Sequence, residues 1–226
     1  MRVLTRSLFA STLIAGAIAA SPLQASAAVI DFDEPALTGL YFAGQSFQQS
    51  GFNMAVHYDF GTVDVASALD APPSGNTTQF YTQLNEGYMT LTRADGGLFN
   101  LNSFDAAFVP LVPAAGGQTT IAAVGTQADG TQVGWAFLFA PAAGGSYQFA
   151  QYSGADFSVY TNLKSVEFFA CSFDGSNVCT SPLQNNGQFA LDNINVTAAV
   201  PEPSAALLLG MGLAGMGWLR RRQAKV

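Results

Sequence analysis

The sequence predicts an all-β protein, an antiparallel β-sandwich placed between two terminal processing segments. Three observations support this prediction. Charged residues make up only 10% of the 226-residue chain, while 23 glycines and 18 phenylalanines suit turns and half-buried strands. Apolar residues alternate with a period of two, and no long stretch keeps a helical period. Turn signals such as Asp-Gly separate the alternating segments.

The clearest strand is GFNMAVHYDFG, residues 51–61, where alternation predicts one buried face formed by Phe52, Met54, Val56, Tyr58 and Phe60. Further strands are predicted at 88–92, 98–101, 120–125, 132–139, 147–151, 164–173 and 188–196. Short strands at this spacing favour two packed antiparallel sheets. A jelly-roll is the first choice and an immunoglobulin-like sandwich is the alternative. The segment LDAPPSGNTTQ, residues 69–79, predicts a surface loop that could shape a binding rim.

The N-terminal segment has the order of a secretory signal helix. Arg2 and Arg6 precede an apolar run over residues 8–20, and the small residues Ala25-Ser26-Ala27 follow. The run is too short for a permanent membrane anchor and no charged stop follows it. We expect cleavage after Ala27 or one residue later, which makes residues 1–27 a signal peptide.

The C-terminal segment, residues 200–226, combines three parts. It begins with Val200, Pro201, Glu202 and Pro203 and continues with an apolar stretch over residues 205–219. This stretch predicts a helix shorter than the ~20 residues that cross a bilayer comfortably. The segment ends in a basic cluster of Arg220, Arg221 and Arg222, which would stay on the cytoplasmic side. Residues 28–199 then remain as the β-sandwich domain, which we call the body.

This tail resembles the PEP-CTERM sorting signal of proteins exported by Gram-negative bacteria, a pattern also labelled as an ice-binding protein C-terminal domain. The resemblance implies that an exosortase, a membrane-embedded peptidase, recognises the Pro-Glu-Pro region and removes the tail. It also implies a location at the cell envelope, the cell surface or the extracellular matrix, where exopolysaccharide and biofilm are made. Before processing, the tail would be the chain's contact with the membrane.

The charge of the body excludes two classes of partner. Six of the eight basic residues lie in the terminal segments and fourteen of the fifteen acidic residues lie in the body, which leaves a net charge of about −12. Nucleic acid and anionic lipid both need clustered Lys and Arg, so neither is an expected partner. Neutral sugars and divalent cations remain open.

Cys171 and Cys179 are the two cysteines of the chain. An exported body favours a disulfide between them, across a turn at Asp174-Gly175. Metal binding by two thiols is the weaker alternative.

Acidic residues near both ends of the body predict a cation site. Alternation in VIDFDE places Asp31 and Asp33 on one strand face, with Glu34 next to them. In QFALDNINV the phase of the apolar residues shifts at Asp192-Asn193, which predicts a β-bulge. The first and last strands of a jelly-roll often lie side by side, so these acids would meet. Such oxygens suit calcium.

Two further resemblances concern these segments. The arrangement resembles the calcium site of extracellular jelly-roll modules of the MAM and carbohydrate-binding kind, which implies Ca²⁺ held by Asp31, Asp33, Glu34 and Asp192. The closing segment is similar to the Gln-Phe-x-x-Asp signature of one PEP-CTERM subgroup, through Gln188, Phe189 and Asp192.

Motifs of known enzyme classes are absent from the sequence, so we expect no catalytic residues and no enzyme. There is no G-x-S-x-G elbow, no H-E-x-x-H pair, no P-loop and no G-x-G-x-x-G opening a helix. The alternative is an extracellular polysaccharide hydrolase, which would use Glu86, Glu167 or a pair formed by His57 and Asp59.

The function predicted from these observations is that of an exported surface or matrix protein whose body binds polysaccharide or has a structural role. Sugar binding would use exposed aromatic rings, because rings stack on pyranose faces. By strand parity the candidates are Tyr147, Tyr152 and Tyr160.

Overall fold

The computed structural model describes residues 26–109, 118–140, 146–173 and 187–199. All of them fall within one compact unit, Ala25–Pro201. Because the hydrophobic core of the described residues lies inside this unit, we expect it to fold on its own. The predicted signal helix and the predicted helix of the tail lie outside the described residues. Among the described residues, no helix is long and apolar enough to cross a membrane.

The described chain contains β-strands and three short 3-10 helices. The strands are β1 (Ala27–Ile30), β2 (Gly39–Phe42), β3 (Ser46–Gln49), β4 (Phe52–His57), β5 (Phe60–Asp64), β6 (Phe80–Leu84), β7 (Tyr88–Arg93), β8 (Phe99–Phe108), β9 (Gln118–Gln127), β10 (Gln132–Leu138), β11 (Ala150–Ser153), β12 (Leu163–Phe173) and β13 (Phe189–Ala198). The 3-10 helices are Pro35–Leu37, Ala66–Ala68 and Ala155–Val159.

The strands form two antiparallel layers that pack face to face. In the first layer, β2, β5, β6, β13, β8 and β11 follow one another, and β1 also pairs with β13. In the second layer, the order is β3, β4, β7, β12, β9 and β10. Within the described ranges, the strand pair Leu163 with Phe99 joins β12 of the second layer to β8 of the first. This confirms the predicted all-β fold, an antiparallel, jelly-roll-like sandwich.

The core lies between the inner faces of the two layers. Phe104 of β8 stands at its centre, where its ring contacts the rings of Phe168, Phe157 and Phe137 at centroid distances of 5.2–5.7 Å. Alternating buried residues of strands such as β4 and β7 supply part of this interior, as the period-two pattern predicts.

β13 changes its partner halfway along its length. Its first residues pair with β6, and its later residues pair with β1 along the same edge. Between these two stretches the register against β8 shifts from Asp192 to Asn195, and Asn193 has a φ of 48°. The bulge predicted at Asp192-Asn193 is therefore confirmed. The predicted meeting of the first and last strands is confirmed as well.

The two ends of the sandwich differ in what they carry. At one end the described termini meet, because the amide of Ala198 donates to the carbonyl of Ser26 and the amide of Ala199 donates to that of Leu98. We call this the terminal end. β13 begins at the opposite end, at Phe189, and Gly187 just before it donates its amide to Glu86 in the turn between β6 and β7. We call this opposite end the distal end.

Candidate functional site

Asp192 is a carboxylate buried under a loop at the point where β13 changes its partner. Its side chain lies on the outer face of the first layer, yet it is only 1% exposed because the loop before β6 covers it. Asn76 of that loop donates its amide to Asp192 Oδ2 at 2.6 Å, and the backbone amide of Asn193 donates to Oδ1 at 2.7 Å. The loop predicted at residues 69–79 therefore covers this site.

Two further carboxylates act on Asp192. Burial, with the negative charges of Asp33 and Asp105 as lesser causes, raises the pKa of Asp192 to about 7, against the hydrogen bonds from Asn193 and Asn76 that lower it. Asp105 is the residue opposite Asp192 on β8. Its Oδ2 accepts a bond from the Asn193 side chain, while its Oδ1 is buried and accepts none within the described part of the chain.

The other acids of the predicted cation site are arranged differently. β1 ends at Ile30, and Phe32 has a φ of 56°, so Asp31 and Asp33 do not share a strand face as the alternation predicted. Asp31 accepts a hydrogen bond of 2.7 Å from the side-chain amide of the buried Gln49, and this bond links the two layers. Asp33 instead accepts a hydrogen bond from the backbone amide of Gln79.

The structure thus places Asp33 near Asp192 but gives Asp31 a different partner, while Glu34 stands exposed before the first 3-10 helix. No group of three or more His, Cys, Asp and Glu side chains in a metal-binding arrangement occurs among the described residues. The sequence missed Asp105 and Asn76, which come from distant segments and have no local motif.

A second candidate site is a group of aromatic rings at the distal end, formed by His57, Tyr58 and Tyr88. We call it the aromatic platform. The rings of His57 and Tyr88 lie parallel, with an interplanar angle of 7° and a centroid distance of 4.4 Å. The ring of Tyr58 lies 5.8 Å from that of Tyr88 and is 69% exposed. A ligand can therefore reach an open ring beside a stacked pair.

The backbone at the distal end explains why Tyr58 points outward. Alternation predicted Tyr58 on the buried face, but β4 ends at His57, and Tyr58 and Asp59 both adopt positive φ, 56° and 42°. This left-handed turn carries the chain from one layer to the other and interrupts the alternation. Left-handed conformations are costly for residues other than glycine, so surrounding contacts must hold them.

Gln83 supplies those contacts from inside the fold. This fully buried side chain donates to the backbone carbonyls of Tyr58, Phe60 and Leu84 at 3.1–3.4 Å. Its carbonyl oxygen accepts from the hydroxyl of Tyr81, and burial raises the pKa of that tyrosine. The turn behind the platform is thus fixed from the core, which keeps the Tyr58 backbone in place.

The second layer continues the platform on its outer face. Glu167 of β12 pairs with Thr90 of β7, so it lies diagonally across from Tyr88 on the same face. Burial, with the charge of Glu167 as a lesser cause, raises the pKa of Tyr88. Phe169 follows on the same side of β12 and is 36% exposed.

The aromatic residues chosen by strand parity are packed against the core instead. Tyr160 is fully buried and donates its hydroxyl to the carbonyl of Ala123. Tyr152 donates to the carbonyl of Leu138 and packs on Phe104, and Tyr147 packs on Phe108. These three tyrosines are therefore not the exposed row that the sequence predicted.

The residues of the hydrolase alternative are also placed by the structure. The His57 ring stacks on Tyr88, and the exposed Asp59 sits in the turn beyond the end of β4, so the two do not share a strand face as predicted. Glu86 occupies the left-handed turn after β6, and its carboxylate accepts a hydrogen bond of 3.4 Å from the backbone amide of Gly187. Glu167 lies in β12, on the outer face of the second layer.

Two predictions from the sequence fall partly or wholly outside the described residues. Cys171 is buried near the end of β12, but Cys179 lies outside them, so the disulfide stays a prediction. The tail, with Val200, Pro201 and the arginine cluster, lies outside them as well.

Sequence comparison decides the nature of the tail. Residues 199–222 match the model of the PEP-CTERM protein-sorting motif. The chain carries a PEP-CTERM sorting motif. This confirms the predicted sorting signal and indicates an exported protein of the cell surface. No curated protein matches the chain in sequence.

Solved structures resemble the body in fold. A protein of the DUF4465 family from Bacteroides caccae aligns with a TM-score of 0.52 at 14% identity, covering 77% of this PEP-CTERM chain and 100% of its own. At this identity the similarity concerns the fold alone.

Two carbohydrate-binding structures align more weakly. A xylan-binding domain from Paenibacillus barcinonensis gives a TM-score of 0.36 at 12% identity, with coverage of 77% and 94%. A family 11 carbohydrate-binding module from Clostridium thermocellum gives 0.32 at 15% identity, with coverage of 80% and 99%. TM-scores this low do not establish a common fold.

Proposed function

We propose that the body is a non-catalytic module that binds polysaccharide outside the cell, in the exopolysaccharide or biofilm matrix of a Gram-negative bacterium. The observation that carries this proposal is the aromatic platform, in which the 69% exposed ring of Tyr58 stands beside the stacked rings of His57 and Tyr88. An exosortase would process the PEP-CTERM tail before the protein reaches its final location.

The platform has the physical properties of a sugar-binding surface. Aromatic rings offer a large apolar face, and the apolar C–H face of a pyranose loses water when it stacks on such a ring. The buried side chain of Gln83 fixes the backbone of the Tyr58 turn, so less conformational freedom is lost on binding. A fixed and exposed ring therefore favours binding of a rigid sugar chain.

The position of the platform also supports binding outside the cell. The described termini meet at the terminal end, and the platform lies at the distal end, beyond the opposite end of β13. A body attached through the end of β13 would thus present the platform away from the point of attachment.

The test is a binding assay with residues 25–201 and polysaccharide purified from the matrix of the source organism. We expect Tyr58→Ala and Tyr88→Ala each to weaken binding about two- to tenfold, since one lost stacking contact is worth about 0.5–1.5 kcal/mol. Trp135→Ala is the matched control, because Trp135 is 49% exposed on β10, away from the platform. Equal loss in all three variants, or no binding by the unmodified protein, would refute the proposal.

The non-catalytic part of the proposal has its own measurement. Incubation of the same polysaccharide with the protein should release no new reducing ends. Release that disappears in Glu167→Gln or Glu86→Gln would instead support the hydrolase, since glycosidases depend on paired carboxylates.

We also propose a cation-binding role for the acids around Asp192, with a changed set of ligands. Asp105 and Asp192, which lie opposite each other on β8 and β13, would supply carboxylate oxygens, and the buried Oδ1 of Asp105, which accepts no hydrogen bond within the described part of the chain, fits such a role. Calcium should raise the melting temperature of residues 25–201, and a chelator should reverse the rise. Asp105→Asn should abolish this calcium-induced rise. Asp31→Asn should lower the melting temperature without calcium but should leave the calcium-induced rise in place. An unchanged melting temperature with calcium would remove this role.

A further inference from the structure

The charges around the aromatic platform all have one sign. Glu167 lies diagonally across from Tyr88 on the neighbouring strand, and the exposed Asp59 directly follows Tyr58 in the turn. Glu86 occupies the next turn at the same end of the sandwich. The surface around the rings is therefore acidic.

The basic residues of the described chain lie far from the platform. Arg93 is at the other end of β7 from Tyr88 and donates to the carbonyl of Leu98 at the terminal end. Lys164 is the second residue of β12, and Leu163 before it pairs with Phe99 at the terminal end. No positive side chain in the described part of the molecule is thus placed to neutralise the acids at the distal end.

This combination selects a ligand by charge as well as by shape. A positively charged amine gains from the face of an aromatic ring and from a nearby carboxylate together. A uronic acid polymer is repelled by the same carboxylates, and a neutral sugar gains only the stacking. Charge complementarity therefore favours a sugar chain that carries primary amines.

We propose that the aromatic platform binds polysaccharides with free amino groups, such as partly or fully deacetylated hexosamine polymers, in preference to neutral or uronic acid polymers. This inference rests on the proposed function, since it names the class of polysaccharide that the same platform takes. In this arrangement Tyr58 and Tyr88 hold the sugar face, and Glu167 and Asp59 pair with the amine.

The test compares three probes of equal length by calorimetry near neutral pH: oligomers of glucosamine, of N-acetylglucosamine and of galacturonic acid. Residues 25–201 should bind the glucosamine oligomer at least tenfold more tightly than the other two. Raising the salt concentration should narrow this difference, because exposed charges are screened. Glu167→Gln should lower glucosamine affinity severalfold and leave N-acetylglucosamine affinity unchanged.

The matched control is Asp156→Asn, which removes one exposed acid from the 3-10 helix Ala155–Val159. It changes the net charge as Glu167→Gln does, so equal effects of the two would show non-specific attraction and overturn the inference. Equal affinity for the glucosamine and acetylated oligomers, with Tyr58→Ala still weakening both, would overturn the amine preference and leave the proposed function standing. If every platform variant still binds matrix polysaccharide as tightly as the unmodified protein, both the amine preference and the proposed function are overturned.

Discussion

Replacing the buried carboxylate of Asp192 by an amide should change how stability depends on pH. Folded Asp192 keeps its proton up to about pH 7, whereas the unfolded chain releases it near the ordinary value of 3.8. Between these values the folded state binds more protons than the unfolded state. The free energy of unfolding therefore falls as pH rises through this window and levels off above about pH 7.

The magnitude follows from the size of the shift. A change of about 3 pKa units corresponds to about 4 kcal/mol at 1.36 kcal/mol per unit. Asp192 is 1% exposed, so solvent screening does not reduce this figure much. For a domain of this size, ~4 kcal/mol corresponds to a fall in melting temperature of roughly 8–16 °C between pH 4 and pH 8.

The assay is thermal unfolding of residues 25–201 across this pH range, in excess chelator so that no cation contributes. The unmodified protein should lose stability toward pH 8, and Asp192→Asn should lose much less, because its side chain has no charge to bury. Asp156→Asn, which removes an exposed acid, should follow the unmodified protein. Parallel curves for Asp192→Asn and the unmodified protein would refute the assignment of the pH dependence to Asp192.

Two other substitutions test the packing that supports the platform, and one treatment tests the predicted disulfide. Gly87→Ala would place a Cβ against the Gln83 side chain and 2.6 Å from the carbonyl of His57, so it should lower the free energy of unfolding, measured by urea denaturation, by about 1–3 kcal/mol. Gly96→Ala, at a φ of 73° with open space around it, should lose only about 1 kcal/mol, and an equal loss would argue against the clash. Tyr81→Phe leaves the buried carbonyl oxygen of Gln83 without the hydroxyl, so unfolding should become easier by about 1–3 kcal/mol; no change in a chemical melt would contradict this. A reducing agent should break the predicted disulfide and so lower the free energy of unfolding by ~2–3 kcal/mol, which lowers the melting temperature. An unchanged melting temperature would disprove that bond.

The strand pattern was predictable where local alternation and burial agree. Phe52, Met54 and Val56 of β4 are at most 4% exposed, as their period of two predicted. The bulge at Asp192-Asn193 was predictable for the same reason, because a change of phase within one strand is visible in consecutive residues.

The exposed aromatic rings were not predictable in this way. Parity assigned Tyr58 to the core, but the left-handed turn at Tyr58-Asp59 turns it outward, and this turn depends on Gln83 from a distant strand. Parity also suggested an exposed Tyr160, yet that residue lies at the end of a 3-10 helix and its hydroxyl bonds to β9. Contacts between distant segments override a local pattern in both cases.

The sequence by itself determined where this protein is sent, since a sorting motif is a run of consecutive residues that needs no folded neighbour to be recognised. It also determined the all-β class, because alternation and turn residues are local properties of the chain. Only the tertiary structure decided that the charges of Asp33 and Asp105 act on Asp192, and that Tyr58 rather than Tyr160 is exposed. Those outcomes depend on which strands pair across long separations and on close packing around each side chain, and neither is written in any short stretch of sequence.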